Sequence, residues 1–239
     1  MKKLLFLTYT LLLSLSIPQN VYAMHISEGY LPLNWSAFYG LLVLPFLFFG
    51  VRKLNKLSKK NKEIKMLLGL IAAFVFMMSA LKIPSVTGSC SHPTGTGIGA
   101  IIFGPIIMSV ISLVVLLFQA LLLVHGGITT LGANLFSMGI VGPFVAFGIY
   151  KILKNKNELL AVGLAAALGD LTTYIITSIQ LGLAFPSTTG GVALAIGKFM
   201  GIFAITQIPL AIVEGIISVI IYDFIKKHCE KEILGIMEE

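Results

Sequence analysis

Acidic side chains are scarce in this chain. Only 10 of its 239 residues are Asp or Glu and 17 are Lys or Arg, so charged residues make up 11% of the sequence against 57% hydrophobic. An ordinary soluble domain carries about 25% charged residues. The deficit excludes that class and leaves a polytopic membrane protein. The net charge of +7 is not the footprint of nucleic-acid binding, because most of the Lys and Arg lie in short segments between apolar runs. Cysteine is nearly absent as well: Cys90 and Cys229 lack zinc-type spacing. They also fall on opposite sides of the membrane in the topology derived below, which argues against a disulfide.

Nucleotide and hydrolase motifs are missing. "GTGIGA" fails the dinucleotide pattern, and "GGVALAIGKF" lacks the Ser or Thr that a P-loop places after Gly-Lys. There is no H-E-x-x-H, no G-x-S-x-G, and no polar segment large enough to hold an ATPase. The chain is therefore read as a non-enzyme without a cofactor of its own. If it serves a pump, another polypeptide hydrolyses the ATP.

The first 23 residues, "MKKLLFLTYTLLLSLSIPQNVYA", have the layout of a secretory signal: two lysines, an apolar stretch from Leu4 to Ile17, then a small-residue ending at Ala23. The alternative is an uncleaved first helix, but that stretch is short against the roughly 20 residues that span a bilayer. Cleavage leaves 24–239 as one integral membrane unit, with Met24 as an extracytoplasmic N-terminus.

Apolar segments follow at roughly 35–51, 64–82, 97–124, 131–153, 158–182 and 192–226. Helices are expected throughout, since backbone groups in hydrocarbon need internal partners. The basic stretches 52–65, 151–157 and 226–231 belong in the cytoplasm by the positive-inside rule. Six simple crossings cannot satisfy all three. The Gly104-Pro105 pair supplies the break, since such a pair ends one helix and starts the next. The reading is an all-α bundle of seven membrane segments: a short helix near 96–103, another from Pro105 to about Val124, and the C-terminus inside. The short piece need not cross fully, because irregular backbone is tolerated at membrane depth where protein covers it.

Of four histidines, His228 lies in the basic tail and reads as solvated. His25, His92 and His125 all fall on the outer side. His92 sits in a loop rich in Ser, Thr and Gly, where a plain turn residue is an equal alternative. The processed terminus favours ligation: the Met24 amine, the Met24–His25 peptide nitrogen and the His25 imidazole close adjacent small chelate rings, and His92 completes a four-nitrogen plane. Such a donor set suits Ni²⁺ and Cu²⁺ and can accept Co²⁺. Supporting hydrogen bonds around it are assigned to Ser27, Glu28, His125 and Asn134. Capping or surface roles for Ser27 and Glu28, and a packing role for Asn134, stay open.

"MHISEGYLP" (24–32), "SVTGSCSHPTGTGIGAIIFGP" (85–105), "HGGITTLGANLFSMGIVGP" (125–143) and "GDLTTYIITSIQLGLAFP" (169–186) together resemble the cobalt-specific membrane subunit of energy-coupling-factor importers. The likeness runs through nearly the whole mature chain. It implies a seven-helix substrate-capture component in the plasma membrane, with the metal held by Met24, His25 and His92. Its implied partners are a small accessory membrane subunit, a coupling transmembrane subunit and cytosolic ATPases. Cobalt imported in this way feeds corrinoid synthesis. A Ni²⁺ importer subunit of the same type is the alternative, and a membrane metalloenzyme a weaker one, since no acid, base or redox partner accompanies the donor set.

Asp170 and Glu214 are costly in hydrocarbon and should face the bundle interior, in helix–helix bonding or subunit coupling ahead of metal transfer. Lys82 is expected to snorkel to the outer interface. Ala161, Ala165 and Gly169, and the shorter Gly69–Ala73 pair, form small-residue faces that suit either a coupling partner or packing within the chain.

Overall fold

The structure, a computed structural model, describes residues 25–60, 63–84 and 90–229. The leader over 1–23 and the ligand role expected of Met24 lie outside the described residues.

Seven helices follow one another among the described residues: α1 (Leu33–Lys60), α2 (Glu63–Ala80), α3 (Thr96–Phe103), α4 (Pro105–Leu122), α5 (Leu131–Leu153), α6 (Glu158–Ala184) and α7 (Gly191–His228). Five of them, α1 and α4 to α7, are long and apolar enough to cross a bilayer, and α2 is a shorter apolar helix over Ile64–Ala80. The seven-segment all-α reading matches this architecture. A two-residue ladder pairs Ile83 with Ser91 and Pro84 with Cys90, closing the base of the loop between α2 and α3.

The short α3 has 8 residues, all buried. At about 1.5 Å per residue it spans only about 12 Å, far less than a hydrocarbon core of about 30 Å. It survives at that depth because protein surrounds it on every side. Its end is the expected glycine-proline break. Gly104 adopts φ 82°, a conformation costly for any residue with a Cβ, and Pro105 opens α4 at the position where its missing N–H costs nothing. Helix α4 stops at Leu122, two residues short of the expected Val124, because Val124 itself takes φ 48°. That is a strained state for a β-branched residue and one that apolar periodicity does not reveal.

The larger apolar core gathers around α3, with Ile71, Val75 and Met78 of α2, Ile98 and Ala100 of α3, Met108 and Val115 of α4, and Met138 of α5. A seven-residue π-helical stretch, Leu135–Val141, lies within α5, and Gly139 inside it lets α4 approach: a Cβ there would stand 2.7 Å from the Ser112 Cβ. The small-residue face of α6 packs inward. Ala161 and Ala165 are fully buried, and a Cβ on Gly169 would meet Ala146 at 2.9 Å. Gly69 and Ala73 on α2 face outward.

A second, smaller core joins Ile26 and Leu31 of the N-terminal segment to Tyr39, Ala133, Tyr174, Leu181 and Phe203. Burying Ile26 and Leu31 at the aqueous end of the bundle contributes on the order of 2 kcal/mol each. This cluster fixes where His25 sits.

Candidate metal centre

The N-terminal segment lies along the stretch 126–134 as an extra strand would, with side chains supplying the partners. Asn134 meets Ile26 twice: its Oδ1 accepts from the Ile26 N–H at 2.8 Å and its Nδ2 donates to the Ile26 carbonyl at 3.0 Å. The Thr130 hydroxyl donates to that same carbonyl at 2.7 Å. One step on, the Glu28 N–H donates to the Gly126 carbonyl at 3.1 Å, and the Glu28 carboxylate accepts from the Thr129 N–H at 3.1 Å. The Thr129 hydroxyl, with help from that backbone bond, lowers the Glu28 pKa. A Cβ on Gly127 would fall 2.5 Å from the Glu28 Cα and 2.7 Å from its nitrogen, so only glycine admits the segment here.

This path carries His25 to the end of α4, where His125 follows the strained Val124. The His125 N–H donates to the Gln119 carbonyl at 3.2 Å, folding the turn back under the helix. The Lys82 Nζ donates to the Leu123 carbonyl at 2.9 Å, tying the same turn. The loop before α3 supplies His92. Its carbonyl accepts from Gln207 Nε2 at 3.4 Å, and the same amide bonds both Asp170 oxygens, at 2.7 and 2.8 Å. Glu214 accepts from the Thr94 N–H at 2.5 Å, the Gly95 N–H at 2.9 Å and the Thr94 hydroxyl at 3.0 Å. Both intramembrane carboxylates thus face inward. Asp170 bonds across helices, and Glu214 pins the backbone just beyond His92.

The result is a cluster of three imidazoles, His25, His92 and His125, each no more than 3% exposed, with one nitrogen from each lying within 4.8 Å of the others. Ring centroids stand 4.8 Å apart for His25–His92 and His92–His125, and 4.9 Å for His25–His125. The Nε2 atoms of His92 and His125 are 3.0 Å apart, and His92 Nδ1 lies 2.8 Å from the Pro93 carbonyl. That network assigns the proton of His92 to Nδ1 and leaves the Nε2 lone pair facing the cluster. Burial makes protonation expensive: it lowers His92 to about 4 and, with repulsion from the neighbouring rings, depresses His25 and His125 strongly. Neutral imidazoles are the metal-binding form. A separation of 3.0 Å is also close to the roughly 2.9 Å between cis ligands that each sit about 2.0–2.1 Å from an ion.

Of the residues singled out from sequence, His25, His92, His125, Glu28 and Asn134 come together here, and His228 does not: its Nδ1 bonds the Phe224 carbonyl at the far end of α7. Ser27 lies in the same N-terminal segment, between Ile26 and Glu28. Gln119 and Gln207 escaped the sequence reading. Each is a lone amide in an otherwise apolar run, which is the signal that marks an intramembrane polar residue as functional.

Residues 25–231 match the family described as the cobalt uptake substrate-specific transmembrane region, CbiM. The cobalt transport protein CbiM of Clostridium tetani is 59% identical over 98% of this chain and 97% of its own length. That of Desulforamulus reducens is 57% identical over 93% and 89% respectively. A crystal structure of a truncated transition metal transporter superposes with a TM-score of 0.74 at 28% identity, covering 85% of this chain and 99% of the other.

Proposed function

This chain belongs to the cobalt uptake substrate-specific transmembrane family, and on that premise we propose that it is the substrate-capture component of an energy-coupling-factor importer, taking Co²⁺ from outside the cell. The observation that carries the reading is the convergence of three buried, neutral imidazoles at one end of the bundle. In this reading the leader is removed after Ala23. The Met24 amine and the Met24–His25 peptide nitrogen form a five-membered chelate ring, and the peptide nitrogen with His25 Nδ1 a six-membered one. His92 Nε2 closes the plane. His125, whose Nε2 stands 3.0 Å from that of His92, flanks the plane as a supporting neighbour. Binding releases protons from the Met24 amine and from the Met24–His25 amide, while the imidazoles bind in the neutral form they already hold.

The histidine end faces outward and the lysine-rich end faces the cytoplasm, in keeping with the positive-inside rule. A small accessory membrane subunit, a coupling transmembrane subunit and cytosolic ATPases complete the importer, and the cobalt feeds corrinoid synthesis. The sequence motifs quoted above support this assembly.

One residue inserted between Ala23 and Met24, with cleavage retained, tests the claim. His25 then becomes the third residue and the chelate rings change size. Cobalt uptake is expected to fall and any remaining bound metal to show an altered spectrum. Wild-type uptake and spectrum, with the extended terminus confirmed by mass spectrometry, would overturn the role of Met24.

A further inference from the structure

Gln119 is the only polar residue between Leu113 and Val124, and it is fully buried. Its carboxamide lies against the His25 ring. Among the described residues, neither its oxygen nor its nitrogen closes a hydrogen bond, and neither does the buried Nε2 of His25. The backbone of the same residue is occupied: its carbonyl accepts from the N–H groups of Leu123 at 3.0 Å and His125 at 3.2 Å. Gln119 therefore touches two of the three imidazole-bearing segments, one through its carbonyl and one through its side chain.

A metal-bound imidazole uses one ring nitrogen and needs an acceptor for the N–H on the other. At His92 that acceptor is the Pro93 carbonyl, which takes Nδ1–H and frees Nε2. At His25 the requirement is reversed. Only Nδ1 can close a six-membered ring with the residue's own peptide nitrogen, so Nε2 must carry the proton. A buried N–H then needs a buried acceptor, and the Gln119 amide is the group set against it.

We propose that Gln119 is a positioning residue for cobalt capture, its Oε1 accepting the His25 Nε2–H and so holding that ring in the tautomer that presents Nδ1 to the ion. The inference rests on the cobalt-site reading above and adds to it the device that selects the His25 nitrogen. The two histidines thereby use opposite tautomers, one set by the Pro93 backbone carbonyl and the other by the Gln119 side chain.

The test uses the full processed chain in lipid nanodiscs with Co²⁺ as probe, comparing wild type, Gln119→Leu, Gln119→Glu and His25→Ala. Gln119→Leu preserves bulk and removes the acceptor. It is expected to weaken Co²⁺ binding by about 10–100-fold and to shift the cobalt d–d bands, as loss of a ligand-orienting partner does. Gln119→Glu retains the acceptor and is expected to stay within about threefold of wild type. A packing role predicts the reverse order, with Leu tolerated and a buried carboxylate not. Independently, ¹⁵N shifts of histidine-labelled wild-type protein should report Nε2–H at His25. An Nδ1–H tautomer there would overturn the proposal even if Gln119→Leu failed to fold. So would wild-type affinity and bands in Gln119→Leu while His25→Ala loses the metal. Wild-type binding by His25→Ala would instead overturn the cobalt-site reading itself.

Discussion

At one end of the bundle three imidazoles are buried to within 3% of full enclosure, and at the other Lys53, Lys151 and Lys154 line a cavity of about 420 Å³ below the Gly104–Pro105 break. Helix α4, with its 18 residues, joins the two ends across about 27 Å. At the histidine end, order comes from backbone: the N-terminal segment is gripped by Asn134, Thr130 and Gly126, and the His92 loop by Gln207 and Glu214. At the lysine end, order comes from side chains meeting each other. Tyr150 and Tyr222 share Glu158, which also pairs with Lys226, while Lys151 lies over the Phe147 ring at 4.6 Å. Backbone-held donors do not lose their geometry when one side chain changes rotamer, whereas exposed lysines keep theirs only loosely. A site that must present fixed nitrogens belongs on the first kind of scaffold. A surface that faces an anionic leaflet or a partner suits the second.

Deleting one imidazole separates the two ends most sharply. His92→Ala is expected to abolish measurable cobalt occupancy in purified protein by elemental analysis, while Lys154→Ala leaves it unchanged. Equal loss in both would mean that the two ends share the site.

A methyl group placed at each end gives the next largest effect. Gly127→Ala drives a Cβ into the Glu28 backbone, whereas at Gly148, which precedes the lysines, a Cβ meets nothing within 4 Å. Calorimetry should therefore find Co²⁺ affinity reduced by roughly 10–100-fold in Gly127→Ala, the range seen when ligand-supporting contacts are lost. Gly148→Ala should bind as wild type. Matching affinities would show that the 126–129 turn does not seat the N-terminal segment.

The smallest effect concerns the exposed Glu28 carboxylate. Because its bonds to Thr129 hold its folded-state pKa below the ordinary value, the stabilisation is present at neutral pH. It disappears as pH falls below about 4.3, through the depressed value. Thermal unfolding of wild type should lose this increment on acidification, whereas Glu28→Gln should lack it at every pH. A Glu28→Gln midpoint equal to wild type at pH 7 would remove Glu28 from the clamp.

Much of this was legible in the sequence, for reasons particular to certain residues. The Gly104–Pro105 break could be read because it combines a conformational need with a missing donor, and because the basic stretches demanded a further segment. The histidines could be read because the motifs around them are dense. What the sequence concealed was tertiary. That Lys82 ties the turn after α4, through the Leu123 carbonyl, has no signal in the sequence. The strained turn at Val124 depends on the Gln119 carbonyl beneath it. Whether the α6 stripe faced inward or outward was decided only by the approach of Ala146 to Gly169. None of these contacts leaves a period or a spacing in the chain.

In the proposed site the ion sits where His25, His92 and His125 meet. Anomalous diffraction at the cobalt edge, on crystals of the processed protein grown with Co²⁺, tests it most directly. One dominant peak is expected within about 2.0–2.2 Å of an imidazole nitrogen from each of His25 and His92, a distance typical of a metal–imidazole bond. A dominant peak at Asp170 and Glu214, or in the lysine-lined cavity, with the histidine cluster unoccupied, would contradict it.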